Sequence, residues 1–381
     1  MVFSTDMHFP DSVKSSERAR RGSSKKLLLE GVNTRKPPDF KEFLTNGENK
    51  LQMFNLMKRV WTDDECAARL LNKTRIIINE GIAHEITSAE GKFVTTKVIT
   101  ELNSNQEETD YRQVLYLFYA KKKGFKSAVV RTSDSDPLFI ILYYAYKLQP
   151  LIVYLDTGTG SHRRLINVTE LANDLGDAFC NTLLGFYVFT GEDANSAFRG
   201  KGKVIPLRKL LKTPKHQDTF KKLGEQWDIS DELVNGLEEF ACLMYSFPRT
   251  KNINDVRSTM LKKMVGKKTD EIQKCTNIDL SKIPPCKMSF IPHCRRVNYR
   301  VAQFKCAYLN YPQTPHAKGH GWIPTNENEQ VLEPVWSEGP ILPDKLIDLI
   351  TEDVIDSESC DEDEDSDESE MDCTSDEYDS D

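Results

Sequence analysis

The sequence predicts an α/β fold built on a parallel sheet, continued by a helical region and an acidic tail. Three observations lead there. Residues 107–136 (EETDYRQVLYLFYAKKKGFKSAVVRTSDSD) place a helix and then a strand on either side of a Lys-Lys-Lys-Gly junction, half of a parallel α/β unit. Residues 138–155 (LFIILYYAYKLQPLIVYL) read as a buried helix, a Pro turn and a central strand; Lys147, Gln149 and Pro150 interrupt a run that otherwise approaches the length of a membrane span. Charge is also divided. From Glu352 onward there are 17 acids and no Lys or Arg, which leaves 51 Lys and Arg against 42 Asp and Glu in the first 351 residues. A basic body suits a polyanion partner, and an acidic tail could compete with that partner or bind basic proteins.

In chain order, MVFSTD forms a short strand ending in Asp6, so abruptly that further sequence before Met1 is expected. Residues 11–36 carry eight Lys or Arg (Lys14, Arg18, Arg20, Arg21, Lys25, Lys26, Arg35, Lys36) and two Glu, a basic arm suited to phosphates or nuclear import and ended by Pro37-Pro38. Leu51, Phe54, Met57 and Val60 line one helix face, and residues 75–79 and 92–96 are candidate strands around a loop. Val114, Leu115, Leu117 and Phe118 fall at helical spacing behind Ser104 and Asn105 as candidate caps, with Glu108 and Asp110 at the helix start. The strand 127–131 (SAVVR) is closed by TSDSD, which holds Asp134 and Asp136.

DTGTGSHRR after the next strand contains Gly158 and Gly160 but no G-K-[ST], so it reads as a hairpin to 165–168 rather than a phosphate loop. Two short helices, 169–176 and 177–189, precede FTGEDANSAFRGKGK and a helix over 204–211. A Gly-rich turn between helices can offer N–H groups and a helix start to phosphate oxygens, and residues 199–222 hold nine Lys or Arg against one acid. Residues 230–245 are an amphipathic helix. Cys275, Cys286, Cys294 and Cys306 lie near His293, His316 and His320 but lack paired short spacings, which favours unlinked core thiols over zinc. The Pro-rich residues 283–343 read as irregular structure.

The expected division is 1–176 as α/β core with a basic arch at 11–36, 177–274 as helical region, 275–351 as Cys/Pro-rich region and 352–381 as a tail disordered by composition. In that tail Ser357, Ser359, Ser366 and Ser369 sit among acids, as kinase acceptors do. Nine cysteines without C-x-x-C, and no signal-peptide pattern, indicate a reduced intracellular setting, nucleus before cytoplasm.

The chemistry rests on paired carboxylates. Open parallel sheets place sites at strand carboxyl ends, where Asp134 and Asp136 would meet Glu108 and Asp110. Four converging carboxylates repel unless a divalent cation neutralises them, and hard oxygen ligands select Mg²⁺ or Mn²⁺. Two such ions can clamp a phosphodiester. Taken alone, these residues favour a plainer reading, in which D-S-D is a loop of solvated acids and E-E-T-D a helix start favoured by its dipole.

Taken in this order, the pieces resemble the flap-endonuclease-like 5′ nucleases of the PIN-like superfamily, over residues 1–211. The signposts are MVFSTD followed by the basic segment, EETD at a helix start, TSDSD after the next strand, and LLGFYVFTGEDANSAFRGKGK. EETDYR, LDTGTG, FTGEDANSAFRGKGK and GHGW at 319–322 are more closely similar to a group of invertebrate, mobile-element-associated proteins. The resemblance implies a PIN-like core whose first strand would precede Met1, and a helix–two-turn–helix element. It implies metal-site carboxylates at Asp6, Glu108, Asp110, Asp134, Asp136 and Asp193, with Mg²⁺ or Mn²⁺ in a two-ion site. Gly200 and Gly202, with Arg199, Lys201 and Lys203, would hold a DNA backbone, with K⁺ at the turn, and Lys14, Arg18, Arg20 and Arg21 would line the arch. The implied function is a metal-dependent DNA endonuclease or, lacking one ligand, a nucleic-acid-binding relative without catalysis. Glu192 beside Asp193, and the replacement of the third turn glycine at 204–206, depart from the family pattern.

Overall fold

Two short turns decide how the strands pair. Glu80 and Gly81 both take positive φ (49° and 78°), the backbone of a two-residue hairpin turn, so β2 (Arg75–Asn79) must run antiparallel to β3 (Ile82–Thr87). Position 81 needs glycine twice over: a Cβ there would lie 2.3 Å from the Ser104 carbonyl oxygen. β4 (Thr95–Val98) adds antiparallel to β3, and β1 (Val2–Ser4) adds parallel to β2 on the other side. The segment expected to be a loop between two strands is therefore largely β3, and the strand placed at 92–96 begins at Thr95.

The second sheet is built from β5 (Ser127–Arg131), β6 (Ile152–Thr157) and β7 (Arg164–Asn167). β5 and β6 pair parallel, and β6 and β7 form the antiparallel hairpin expected from the Gly-rich connection. Among the described residues the expected single parallel sheet is two sheets, each with one parallel pair, plus a two-stranded ribbon of β8 (Trp322–Pro324) and β9 (Leu332–Pro334). Short connections force the antiparallel neighbours; the two parallel pairs, β1–β2 and β5–β6, are the ones whose connections contain a long helix, Gly47–Trp61 and Asp136–Leu148.

The computed structural model describes residues 1–9, 12–14, 24–265, 279–325 and 331–339. Arg18, Arg20, Arg21, Cys275 and the acidic tail lie outside these residues. In chain order the helices are α1 (Phe40–Phe43), α2 (Gly47–Trp61), α3 (Ala67–Leu70), α4 (Thr109–Lys122), α5 (Asp136–Leu148) and α6 (Val168–Leu175). They continue as α7 (Asp177–Phe189), α8 (Val204–Leu210), α9 (Pro214–Lys222), α10 (Asp231–Met244), α11 (Ile253–Val265) and α12 (Lys287–Lys305). None is long and apolar enough to cross a membrane.

The main core gathers side chains from α4, α5, α7, α9, α10 and α12, with α7 buried along most of its length. Gly185 lets α7 meet α9 closely, since a Cβ there would sit 2.5 Å from the Phe220 carbonyl oxygen. Residues Met1–Glu338 pack as one unit. The region expected to be irregular contributes α12, whose nineteen residues are buried on most sides despite Pro292 in the second turn.

Candidate functional site

Asp6 follows β1 and accepts the Thr109 N–H at 2.8 Å, so it caps the start of α4. Ser104 and Asn105 do not cap this helix; Glu108 holds the N-cap position without using its side chain as a cap. This junction is tied together by Arg112, fully buried, whose Nη2 donates to the Thr5 carbonyl, to Thr109 Oγ1 (3.1 Å) and to the Glu107 carbonyl (3.4 Å). Met7 N–H donates to the Glu107 carbonyl at 2.8 Å. The end of β1 and the start of α4 are thus held as one wall.

That wall carries a cleft of about 960 Å³. Asp6, Asp110, Asp134 and Asp193 line it, four of the six carboxylates singled out in the sequence. Lys41, Lys50, His8 and the start of α2, residues Asn46 and Gly47, also line it. Asp110 is half-buried, and burial together with the charges of Glu108, Asp6 and Asp134 pushes its carboxyl up to about 7. Burial is the larger cause, and the neighbouring carboxylates add to it.

The other two carboxylates are already engaged. Glu108 is 2% exposed; its Oε1 accepts from the Tyr111 hydroxyl (2.6 Å) and from Arg300 Nη1 (3.0 Å), and its Oε2 pairs with the Lys14 ammonium. Burial alone would raise this carboxyl, but Arg300 and Lys14 prevail and hold it at about 2. Asp136 does not close β5 as expected. It is the first residue of α5, followed by Pro137, the pairing that favours a helix start. It is buried and accepts a hydrogen bond from Tyr187, and burial raises its carboxyl. Tyr187 stacks on Phe139 (ring centroids 4.0 Å apart) and lies within 2.7 Å of Ser135 Oγ.

Sequence reasoning missed Arg300. It lies on α12 with no exposed surface, and its Nε donates to Glu192 Oε1 at 3.2 Å while Nη1 also reaches Gln303 Oε1 at 2.9 Å. Glu192, noted only as a departure from the family pattern, is a buried partner that also accepts from the Ala194 N–H (3.0 Å) and Asn195 Nδ2 (2.9 Å). The one signal in the sequence was His293, Arg296 and Arg300 at spacings of three and four, a polar stripe on a helix.

The turn before α8 departs from expectation at Lys203. Its ammonium points inward, donating to the Tyr187 carbonyl (3.0 Å), Thr190 Oγ1 (3.0 Å) and the Gly191 carbonyl (2.5 Å), and burial lowers it to about 8. Lys203 therefore satisfies the last turn of α7 rather than facing solvent. Arg199, Gly200 and Gly202 are exposed; Gly200 has φ +72° and open space where a Cβ would stand. Lys201 lies over the Tyr245 ring, 4.5 Å from its centroid.

Among the described residues, no three His, Cys, Asp or Glu side chains already surround a point where a metal would sit. His293 is a core histidine: burial lowers it to about 3, and its Nε2 donates to the Phe189 carbonyl at 3.1 Å. Cys294 is buried beside it on α12, and Cys286 and Cys306 are free thiols. The cleft carboxylates fit a hard divalent ion in donor type and in charge: Asp6, Asp110, Asp134 and Asp193 are all-oxygen donors on an accessible wall. Compared with protein-family models, with curated proteins and with solved structures, the chain finds no match.

Proposed function

We propose that the chain is a divalent-cation-dependent nuclease acting on DNA, with its site in the acidic cleft. The observation that carries this reading is the convergence of Asp6, Asp110, Asp134 and Asp193 from four separate chain segments on one cleft. Their mutual repulsion supports it: Asp110 is pushed up to about 7 by burial, Glu108, Asp6 and Asp134. These four would hold Mg²⁺ or Mn²⁺, which when bound neutralises the cluster and polarises the phosphodiester. Lys41 and Lys50, which line the same cleft, would position the anionic backbone, and Arg199 with the Gly200–Gly202 turn would hold duplex away from the cleft. The arm sequence R-A-R-R-G-S-S-K-K supports action in the nucleus.

A second reading, a nucleic-acid-binding protein without cleavage, draws support from a different observation. Glu108 and Asp136, two of the six carboxylates in the family pattern, are occupied by Lys14, Arg300, Tyr111 and Tyr187. Cleavage of labelled flap, single-stranded and RNA substrates with Mg²⁺ or Mn²⁺, beside Asp134→Asn, separates the two. Metal-dependent cutting that disappears in Asp134→Asn with binding retained is the expected result. Salt-sensitive binding without cutting in either protein would replace the first reading by the second.

A further inference from the structure

Lys14 is not where a phosphate-binding arm residue belongs. Its ammonium enters the acidic cleft, paired with Glu108 Oε2 and lying 3.6 Å from Asp193 Oδ2, and its side chain is 15% exposed. The residue before it explains how it is kept there. Val13 is 6% exposed and packs with Tyr299, Ala317, Trp322 and Leu332, so residues 12–14 are pinned by an apolar anchor on one side and an ion pair on the other. The cleft is short of positive charge, and Lys14 supplies one from within the chain.

We propose that Lys14 is a tethered counter-cation of the cleft: a divalent ion takes full hold of the acidic wall only when the Lys14 ammonium withdraws from Glu108 and Asp193. This rests on the reading of the cleft as a cation site. The physical basis is exclusion. A primary ammonium and a hard metal ion compete for the same carboxylate oxygens, and the strongly hydrated ammonium has an alternative partner in any phosphate. Withdrawal and ion entry are then coupled: a polyanion that attracts Lys14 leaves Asp193 and the rest of the acidic wall to the metal, and the metal by reciprocity frees Lys14 for the polyanion. With the ammonium seated about nine-tenths of the time, the apparent cation affinity is reduced about tenfold.

The test measures Mn²⁺ binding to the full chain by the loss of the free-ion electron paramagnetic resonance signal, without nucleic acid. The proteins are wild type, Lys14→Met, Val13→Ala, Asp134→Asn and Lys50→Met, with circular dichroism to confirm folding. Lys50 lines the same cleft and reports the effect of removing any nearby positive charge. Lys14→Met is expected to tighten Mn²⁺ about tenfold and Val13→Ala, which keeps the charge but loosens the anchor, about threefold; Lys50→Met should change it less than about twofold. Equal gains in Lys14→Met and Lys50→Met, or no gain in Val13→Ala, would overturn the counter-cation role while leaving the cleft a cation site. Mn²⁺ binding that is absent from every protein, or indifferent to Asp134→Asn, would remove the cation site itself and the proposal with it.

Discussion

Arg300→Met should destabilise the protein through charge more than through volume. Arg300 places one guanidinium between two buried carboxylates, 3.0 Å from Glu108 and 3.2 Å from Glu192, and itself has no exposed surface. Methionine keeps much of the packing against Phe304, whose ring centroid lies 4.8 Å from the guanidinium carbon. What is lost is the counter-charge, and removing one partner of a buried pair costs about 3–5 kcal/mol because the other stays buried. At about 2 °C per kcal/mol, suited to a chain this large, melting should fall by roughly 6–10 °C. The pH dependence separates this cause from simple repacking. In the wild type the Glu108 carboxyl is held at about 2, so its contribution is complete above the ordinary carboxylate range and is lost only as pH falls towards 2. In the variant, buried carboxylates left without that cation take up protons as pH falls from 7 to 5, and the variant regains stability relative to wild type. Thermal melts at pH 7 and pH 5 read both effects. A gap below about 1 kcal/mol, or one that stays constant between the two pH values, would refute the argument. Adding Glu192→Gln to Arg300→Met should recover part of the loss.

Lys203→Met should lower stability by about 1–3 kcal/mol, because the Tyr187 and Gly191 carbonyls and the Thr190 hydroxyl lose their shared donor. It should leave the salt dependence of DNA binding unchanged, whereas Arg199→Ala should reduce the slope by about one ion; fluorescence anisotropy from low to moderate salt checks both. For Asp110 the sign runs through its raised carboxyl. Below about 7 a divalent ion must displace the Asp110 proton, so Mn²⁺ affinity should rise about tenfold per pH unit up to that point and level off above it. In Asp110→Asn that slope should vanish. The metal-free wild type should lose stability as pH rises from about 4 to 7, the unfolded chain releasing the proton first, and Asp110→Asn should flatten that decline.

Apolar spacing and turn chemistry made much of the first half legible. Arg75–Asn79 and Ser127–Arg131 stand where periodicity placed them, and the helix, Pro turn and strand expected over 138–155 are present, the helix beginning earlier at Asp136 and the strand ending at Thr157. The β6–β7 hairpin follows from Gly158, whose positive φ and 2.3 Å approach to the His162 carbonyl exclude a side chain. β3 was hidden because its IAHEIT sequence leaves His84 and Glu85 partly exposed between buried Ala83 and Ile86, too short a pattern to separate from a loop. α12 was hidden for the opposite reason. Its buried residues include Pro292, His293, Arg296, Asn298 and Arg300, which local sequence reads as loop or surface. Each is tolerated only because a distant segment satisfies it: Asn298 Nδ2 donates to the carbonyls of Gln226 (2.8 Å) and Trp227 (2.9 Å), and Arg296 Nη1 to the Val335 carbonyl (2.6 Å).

The same asymmetry governs the site. Paired acids at a helix start and after a strand identified the carboxylates, and Asp6, Asp110, Asp134 and Asp193 do meet in one cleft. Sequence cannot say which carboxylates are still in need of charge, because that depends on cations brought from elsewhere in the chain. Lys14 and Arg300 lie on opposite sides of Glu108 and nearly three hundred residues apart. They neutralise the inner acid Glu108, and Lys14 also reaches Asp193 at the cleft. The inner pair of Glu108 and Glu192, joined by Arg300, fixes α4 against α12 and so holds the cleft wall in shape. At the cleft, burial first and the charges of Glu108, Asp6 and Asp134 second raise the Asp110 carboxyl. On the proposed reading, a cation entering the cleft would meet carboxylates on a wall that the buried Arg300 ion pairs brace from behind.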